Sequence, residues 1–405
     1  MKIVKKRKIL ATLAKYQDAT QAIVLTGFRR VGKTTVMREI YDALPTKNKL
    51  YLDLESLIYQ RMFADENYDN FRLKFEAEGL NFEEKAYVFL DEIQNVKNLP
   101  SIVKYLHDHL GIKFYLTGSS SFYLKNYFSE SMSGRKFLFE LMPLDFEEFL
   151  WFKDQNLSLQ ADYDSLIDYY REYLQYGGLP AVVLAQSKEE KIINLDDALS
   201  SYFRLDVNKL ANFHDNQKLK ELLFLLAFRV GAKPEMVKLS ESLGVTRQTI
   251  GQYLSFFEQT YLINFLRPLS GSSDITIKSM PKVYFGDTGL LNRVGQVGIG
   301  HVFENKIFNE LHTKLVYEEG VNRLNEGLNY YQTKSGLEID FVYKQKIGFE
   351  IKNRAGNFDV LAAKKAAAKA GLEKIKVVSL VKTEKEGIIT PWEVPQTLIS
   401  RAGIV

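Results

Sequence analysis

Between residues 21 and 143, short and nearly unbroken apolar runs alternate with stretches whose apolar residues recur at helical spacing. The runs lie at 22–26, 50–54, 87–90 and 113–117. They lack the every-second-residue alternation of a half-exposed strand, which fits strands covered on both faces. Strands alternating with helices predict βαβ units, a parallel sheet and an α/β fold. From 144 to about 210 the spacing is helical, broken at Gly177-Gly178-Leu179-Pro180, where a helix must end or turn tightly. Residues 212–268 carry three short helical patterns. Within them, 234–266 reads as helix, turn at Gly244, second helix from Thr246 and an apolar run at 261–266, a winged-helix-like outline. Strands return at 330–332, 339–343 and 348–352, with an Ala/Lys-rich helix at 360–370. The pattern divides the chain into four segments, 1–145, 146–210, 211–275 and 276–405.

A length of 405 residues agrees with several domains. Hydrophobic residues at 46% and charged residues at 26% fit folded domains rather than disorder. The net charge of +4 is too small to argue for nucleic acid by itself. The absence of cysteine excludes disulfides, thiolate metal sites and a cysteine nucleophile, and it fits a reducing compartment. Residues 1–10 are basic without a signal-like apolar core, and the run 222–228 is too short to span a bilayer. The expectation is a cytoplasmic protein with no membrane segment. The cluster Lys2, Lys5, Lys6, Arg7 and Lys8 reads as a solvated helix face.

The chemistry concentrates after the first apolar run. Gly27-Phe28-Arg29-Arg30-Val31-Gly32-Lys33-Thr34 matches G-x-x-x-x-G-K-[ST] in full, between a strand and the helical stretch 35–44. Glycines let such a loop turn its N–H groups toward phosphates, and the following helix adds its positive dipole end. The loop predicts ATP contacts from Gly27, Arg29, Arg30, Val31, Gly32, Lys33, Thr34 and Thr35. Lys33 should reach the β- and γ-phosphates, and Thr34 should offer a hydroxyl to Mg²⁺.

The run 87–90 ends in Asp91-Glu92. Two carboxylates at the C-terminal end of a buried strand are placed at the sheet edge beside the phosphate loop. Asp91 is the candidate Mg²⁺ ligand and Glu92 the candidate base for an attacking water; the pair could also cap a helix. The run 113–117 leads into Thr117-Gly118-Ser119-Ser120-Ser121, and Ser119, then Thr117, is the candidate γ-phosphate sensor. Arg135 in Ser133-Gly134-Arg135 is the candidate arginine finger, in cis or from a neighbouring subunit, with Arg29 and Arg30 as competitors.

These motifs, in the order Gly-x-Arg-Arg-Val-Gly-Lys-Thr-Thr, Phe-Leu-Asp-Glu-Ile-Gln, Leu-Thr-Gly-Ser-Ser-Ser, Ser-Gly-Arg and Tyr-Gly-Gly-Leu-Pro, resemble the AAA-type (STAND-like) prokaryotic P-loop ATPases that carry a C-terminal DUF4143 domain. The resemblance spans nearly the whole chain. It implies an ATPase core at 1–145, a helical lid at 146–210, a winged-helix-like domain at 211–275 and a restriction-endonuclease-like fold at 276–405.

Within that last segment, Asp340 followed by Glu350-x-Lys352 is similar to the PD-(D/E)xK nuclease pattern, with Ile339 where the motif has proline. Alternation puts Glu350 and Lys352 on one strand face. Acidic oxygens there could hold Mg²⁺ and a lysine could orient water. Glu304, on the helical stretch 302–311, matches the helix glutamate of many such folds. A solvated face of mixed charge fits the same residues. In the winged-helix outline Thr246, Arg247, Gln248 and Gln252 could read base edges, or the element could serve only for packing.

Two functions follow. One is a Mg-ATPase whose cycle controls a nuclease-like, DNA-directed C-terminal domain. The other is a slow ATPase switch that recruits a protein partner or self-associates, with that domain inert. A P-loop kinase fits less well, because a water-activating glutamate suits hydrolysis.

Overall fold

β1 (Ala22–Thr26) and β4 (Lys113–Thr117) are buried at every residue, and β3 (Tyr87–Asp91) at all but its first. This is the burial that unbroken apolar runs demand. The computed structural model describes residues 5–118, 132–157, 163–207, 216–269, 280–319, 327–333 and 335–398. Within them the chain forms two compact units.

Unit one comprises residues 5–118, 132–142, 201–207 and 259–261. It contains a five-stranded sheet in the order β2-β3-β4-β1-β5, with β2 at Lys49–Asp53 and β5 at Lys136–Glu140. All its pairings are parallel. Helices Lys33–Ala43 and Leu99–Leu110 connect its strands, and Leu52, Phe71, Val88, Leu90, Ile102 and Leu116 belong to the core on one face. β4 stands between β1 and β3, so the phosphate loop and Asp91 end strands that are not neighbours. β5 was not predicted: Lys-Phe-Leu-Phe-Glu is a half-buried edge strand, without the continuous apolar character of the others. Arg7 is buried, not solvated; its guanidinium donates to the carbonyls of Val31 and Met142, both at 2.7 Å.

Unit two comprises residues 143–157, 163–200, 216–258, 262–269, 280–319, 327–333 and 335–398. Helices Tyr163–Tyr176, Pro180–Leu184 and Lys188–Ser201 occupy much of its first part, and the break at Gly177 has φ 75°, a left-handed turn. Helix Met236–Leu243 ends at Gly244 (φ 63°) and is followed by helix Arg247–Gln259 and the antiparallel strands β6 (Ile263–Pro268) and β7 (Lys282–Phe285). A seven-stranded mixed sheet runs β12-β11-β10-β9-β8-β6-β7. It includes β8 (Leu328–Gln332), β9 (Glu338–Tyr343), β10 (Ile347–Lys352), β11 (Lys374–Ser379) and β12 (Ile388–Ile389). Helix Ile299–Glu319 precedes β8, and helix Asn357–Ala370 joins β10 to β11. No helix among the described residues is long and apolar enough to cross a membrane.

Candidate functional site

The loop after β1 is shaped by its glycines. Gly27 has φ 141°, and a Cβ there would lie 2.2 Å from the Leu141 carbonyl oxygen. Gly32 has φ 99° and directly precedes helix Lys33–Ala43. Only a residue without Cβ meets both demands cheaply. Lys33 is buried, and its Nζ donates to the carbonyls of Gly27 (2.9 Å) and Phe28 (3.0 Å). Its ammonium is thus held inside the curve of its own loop. Burial lowers its pKa, opposed by Glu92. Thr34 and Thr35 are exposed in the helix's first turn.

Asp91 ends β3 with both carboxylate oxygens engaged. Oδ2 accepts from the Tyr51 hydroxyl at 2.8 Å. Oδ1 accepts from the Glu92 N–H at 3.0 Å and from the Thr117 hydroxyl. Burial and the Asp91 charge push the Tyr51 hydroxyl pKa up, so it stays a donor. Tyr51 and Thr117 flank Asp91 because β2 and β4 both pair with β3. Glu92 sits in the left-handed region at φ 54° and accepts from the Gln94 side-chain amide. Burial raises its pKa, and the charges of Lys33 and Arg29 oppose that rise. A carboxyl tuned in this way suits proton transfer.

Arg29 leaves the loop toward Asp206, on a single π-helical stretch, Tyr202–Val207. Its Nε and Nη2 reach the Asp206 carboxylate at 2.8 and 3.2 Å, and the Asp206 side chain is 2% exposed. Burial works against the Arg29 charge, but Asp206 outweighs it and raises the pKa. Removing one member of such a buried pair typically costs about 3–5 kcal/mol, because the other charge is left desolvated. Tyr51 and Asp206 were missed by sequence reasoning. Tyr51 lies mid-strand in β2, and only the pairing of β2 with β3 brings its hydroxyl to Asp91; no local signal marks Asp206.

Arg135 is not brought to this site. Its carbonyl accepts from Ala22 N–H (2.8 Å), at the start of β1, whereas the phosphate loop follows the end of β1. In an all-parallel sheet those are opposite edges. Its guanidinium is held by Asp108 at 2.7 Å. The cis arginine-finger role expected of it is therefore corrected. Ser119, the expected sensor, lies outside the described residues. Thr117 is present but spends its hydroxyl on Asp91.

The AAA domain family matches residues 19–150, the stretch that carries this loop and both acids. A protein of Methanocaldococcus jannaschii, itself uncharacterised, is 30% identical over 329 residues, covering 79% of this chain and 71% of its own. The chain carries an AAA domain and is of one family with that Methanocaldococcus protein. An uncharacterised protein of Haemophilus influenzae is 28% identical to this AAA-domain protein over 373 residues, or 89% of this chain and 90% of that one. The solved Walker-type ATPase of Pyrococcus abyssi shares the fold, with TM-score 0.50 and 14% identity over 72% of this chain and 96% of that one. A domain of unknown function, DUF8612, matches residues 167–300, whereas the resemblance implied DUF4143 at 276–405.

Unit two of this AAA-domain protein brings the second predicted set together. β9 and β10 pair antiparallel with Phe341 opposite Phe349, and continuing that register sets Asp340 opposite Glu350. Asp340 accepts from the Ile351 N–H at 2.8 Å, and Lys352 Nζ binds Glu350 at 2.7 Å. Glu304 accepts from the Tyr284 hydroxyl at 2.7 Å. Burial first, and then the Asp340 charge, pushes Glu304 and Glu350 up to about 7; burial also raises Asp340. Two members were not predicted. Lys282 of β7, 8% exposed, lies 2.5 Å from Glu338 and 4.0 Å from Glu304. Burial disfavours its charge, but Glu304 and Glu338 outweigh that and raise its pKa. Among the described residues, no three His, Asp or Glu side chains stand close enough to hold a metal ion.

Proposed function

We propose that this protein binds and hydrolyses Mg-ATP at the loop 27–34, with Asp91 and Glu92 as the acidic half of the site. The observation that carries this reading is the triply bonded Asp91 at the same sheet edge as the phosphate loop. The Thr34 hydroxyl and the Asp91 carboxylate are hard oxygen donors that fit Mg²⁺, which would neutralise phosphate charge when bound. Phosphates entering the loop would offer Lys33 oxygens of higher charge than the carbonyls it now holds. Burial raises the proton affinity of Glu92 and suits it to take a proton from water. Gln94 orients that carboxylate.

The test uses the purified full chain, with fluorescent nucleotide binding and phosphate release in Mg²⁺. Wild type binds and hydrolyses, and Lys33→Ala loses binding. Equal binding by the two proteins would remove the loop from this role.

For the C-terminal fold, two observations support the switch reading over the nuclease reading. Lys282 occupies the acidic cluster as an internal cation, and Glu304 and Asp340 each accept a hydrogen bond from within the fold. The order helix, three antiparallel strands, helix, parallel strand supports a restriction-endonuclease-like fold. Such a fold can persist as a scaffold. Exposed Thr246, Arg247, Gln248 and Gln252, with Tyr253, Phe256 and Phe257 buried, keep a DNA-facing helix within this reading. DNA stimulation of the ATPase rate would support that partner, and an unchanged rate would favour a protein partner or self-association.

A further inference from the structure

Residues 201–207 and 259–261 belong to unit one although the chain on either side belongs to unit two. Both short stretches rest on the phosphate-loop edge of the parallel sheet. The Tyr261 hydroxyl bonds Glu140 at 3.0 Å and Thr26 at 3.3 Å, at the ends of β5 and β1. Tyr202 stacks on Phe28 of the loop, with ring centroids 5.9 Å apart, and shares a 2.7 Å hydrogen bond with Thr260. The Arg30 guanidinium lies 3.5 Å from the Ser201 hydroxyl. The firmest of these contacts is the two-pronged, buried pairing of Arg29 with Asp206.

Such a pairing fixes a guanidinium in both position and plane. Here it fixes one that belongs to the phosphate loop itself, four residues before Lys33, and whose charge acts on Glu92 and Lys33. Arg135, at the opposite edge, does not serve that place within the chain. The π-helical turn that presents Asp206 is a rare conformation found often at functional sites.

We propose that Asp206 is a positioning residue of the ATPase site, holding Arg29 as the arginine that stabilises transition-state charge in cis. This rests on the Mg-ATPase reading and adds to it the source of the missing positive charge. Arg29 supplies the charge; Asp206 stays outside the reacting atoms and sets where the guanidinium points. Charge that develops on the transferring phosphoryl group is best met by a donor already in place.

Steady-state hydrolysis and fluorescent-nucleotide binding should be compared for wild type, Arg29→Gln, Asp206→Asn and the double variant. The expected result is a fall in kcat of about 100-fold or more in each single variant. Nucleotide Kd in Asp206→Asn should stay within about threefold of wild type, and the double variant should be no slower than Arg29→Gln alone. Retained nucleotide binding establishes that each variant is folded. Should Asp206→Asn unfold the chain, Asp206→Glu serves in its place, with an intermediate kcat expected. Wild-type kcat in Asp206→Asn, or losses in the two single variants that simply multiply in the double, would overturn the proposal. A wild-type protein that neither binds nor hydrolyses ATP would instead sink the Mg-ATPase reading itself.

Discussion

Thr117 and Asp91 end adjacent strands of the parallel sheet, and the threonine hydroxyl donates to Asp91 Oδ1. With Tyr51 bonded to Oδ2, the carboxylate has donors on both oxygens and is aimed rather than free to rotate. Partners that orient a metal-binding carboxylate typically change metal affinity or activity 10- to 100-fold when removed.

Thr117→Val keeps the shape and deletes that hydroxyl. ATPase activity should then require higher Mg²⁺, with kcat down about 10-fold and metal-free nucleotide binding unchanged. A Mg²⁺ titration of the steady-state rate reads this out; a curve superposed on wild type would remove Thr117 from the role.

Glu92→Gln retains size and the contact with Gln94 but cannot accept a proton from water. Nucleotide should bind as in wild type while phosphate release falls by about 100-fold or more. Equal hydrolysis by the two proteins would assign the base elsewhere.

Lys282→Met leaves Glu304 and Glu338 without their shared ammonium. Breaking a buried ion pair should destabilise unit two by about 3 kcal/mol. A variant that melts like wild type would show that Lys282 does not neutralise the cluster. Wild type should not cleave DNA in Mg²⁺; cleavage lost in Asp340→Asn would reverse the switch reading.

Glu304 and Glu350 titrate near 7 in the folded chain, above the ordinary carboxyl value of 4.5. A raised folded pKa contributes stability that is present below about 4.5 and lost as pH rises through about 7. Unit two should therefore lose stability between pH 5 and pH 8. Glu304→Gln should flatten that loss by roughly 1–2 kcal/mol. Urea unfolding at the two pH values measures it, and identical pH slopes would contradict the assignment.

The strands β1, β3 and β4 were legible because burial on both faces leaves unbroken apolar runs, and the predicted limits of β1 and β4 are those observed. β5 was not, because an edge strand needs no such run. Arg7 was misread for a related reason: a basic stretch looks solvated unless one knows which carbonyls await a donor, here those of Val31 and Met142.

By itself the sequence determined the phosphate loop, since its glycines, lysine and hydroxyls act through contiguous backbone. It also determined the two acids, which are adjacent in the chain, and the shared strand face of Glu350 and Lys352, which follows from strand alternation. Only the tertiary structure decided that β4 separates β1 from β3 and so brings Thr117 to Asp91. It alone set Arg135 at the far edge, Asp206 against Arg29 and Lys282 among the carboxylates. Those pairings join residues 26, 27, 177 and 22–56 positions apart respectively, and at such distances the order of strands and the path of the chain, not local spacing, choose the partner.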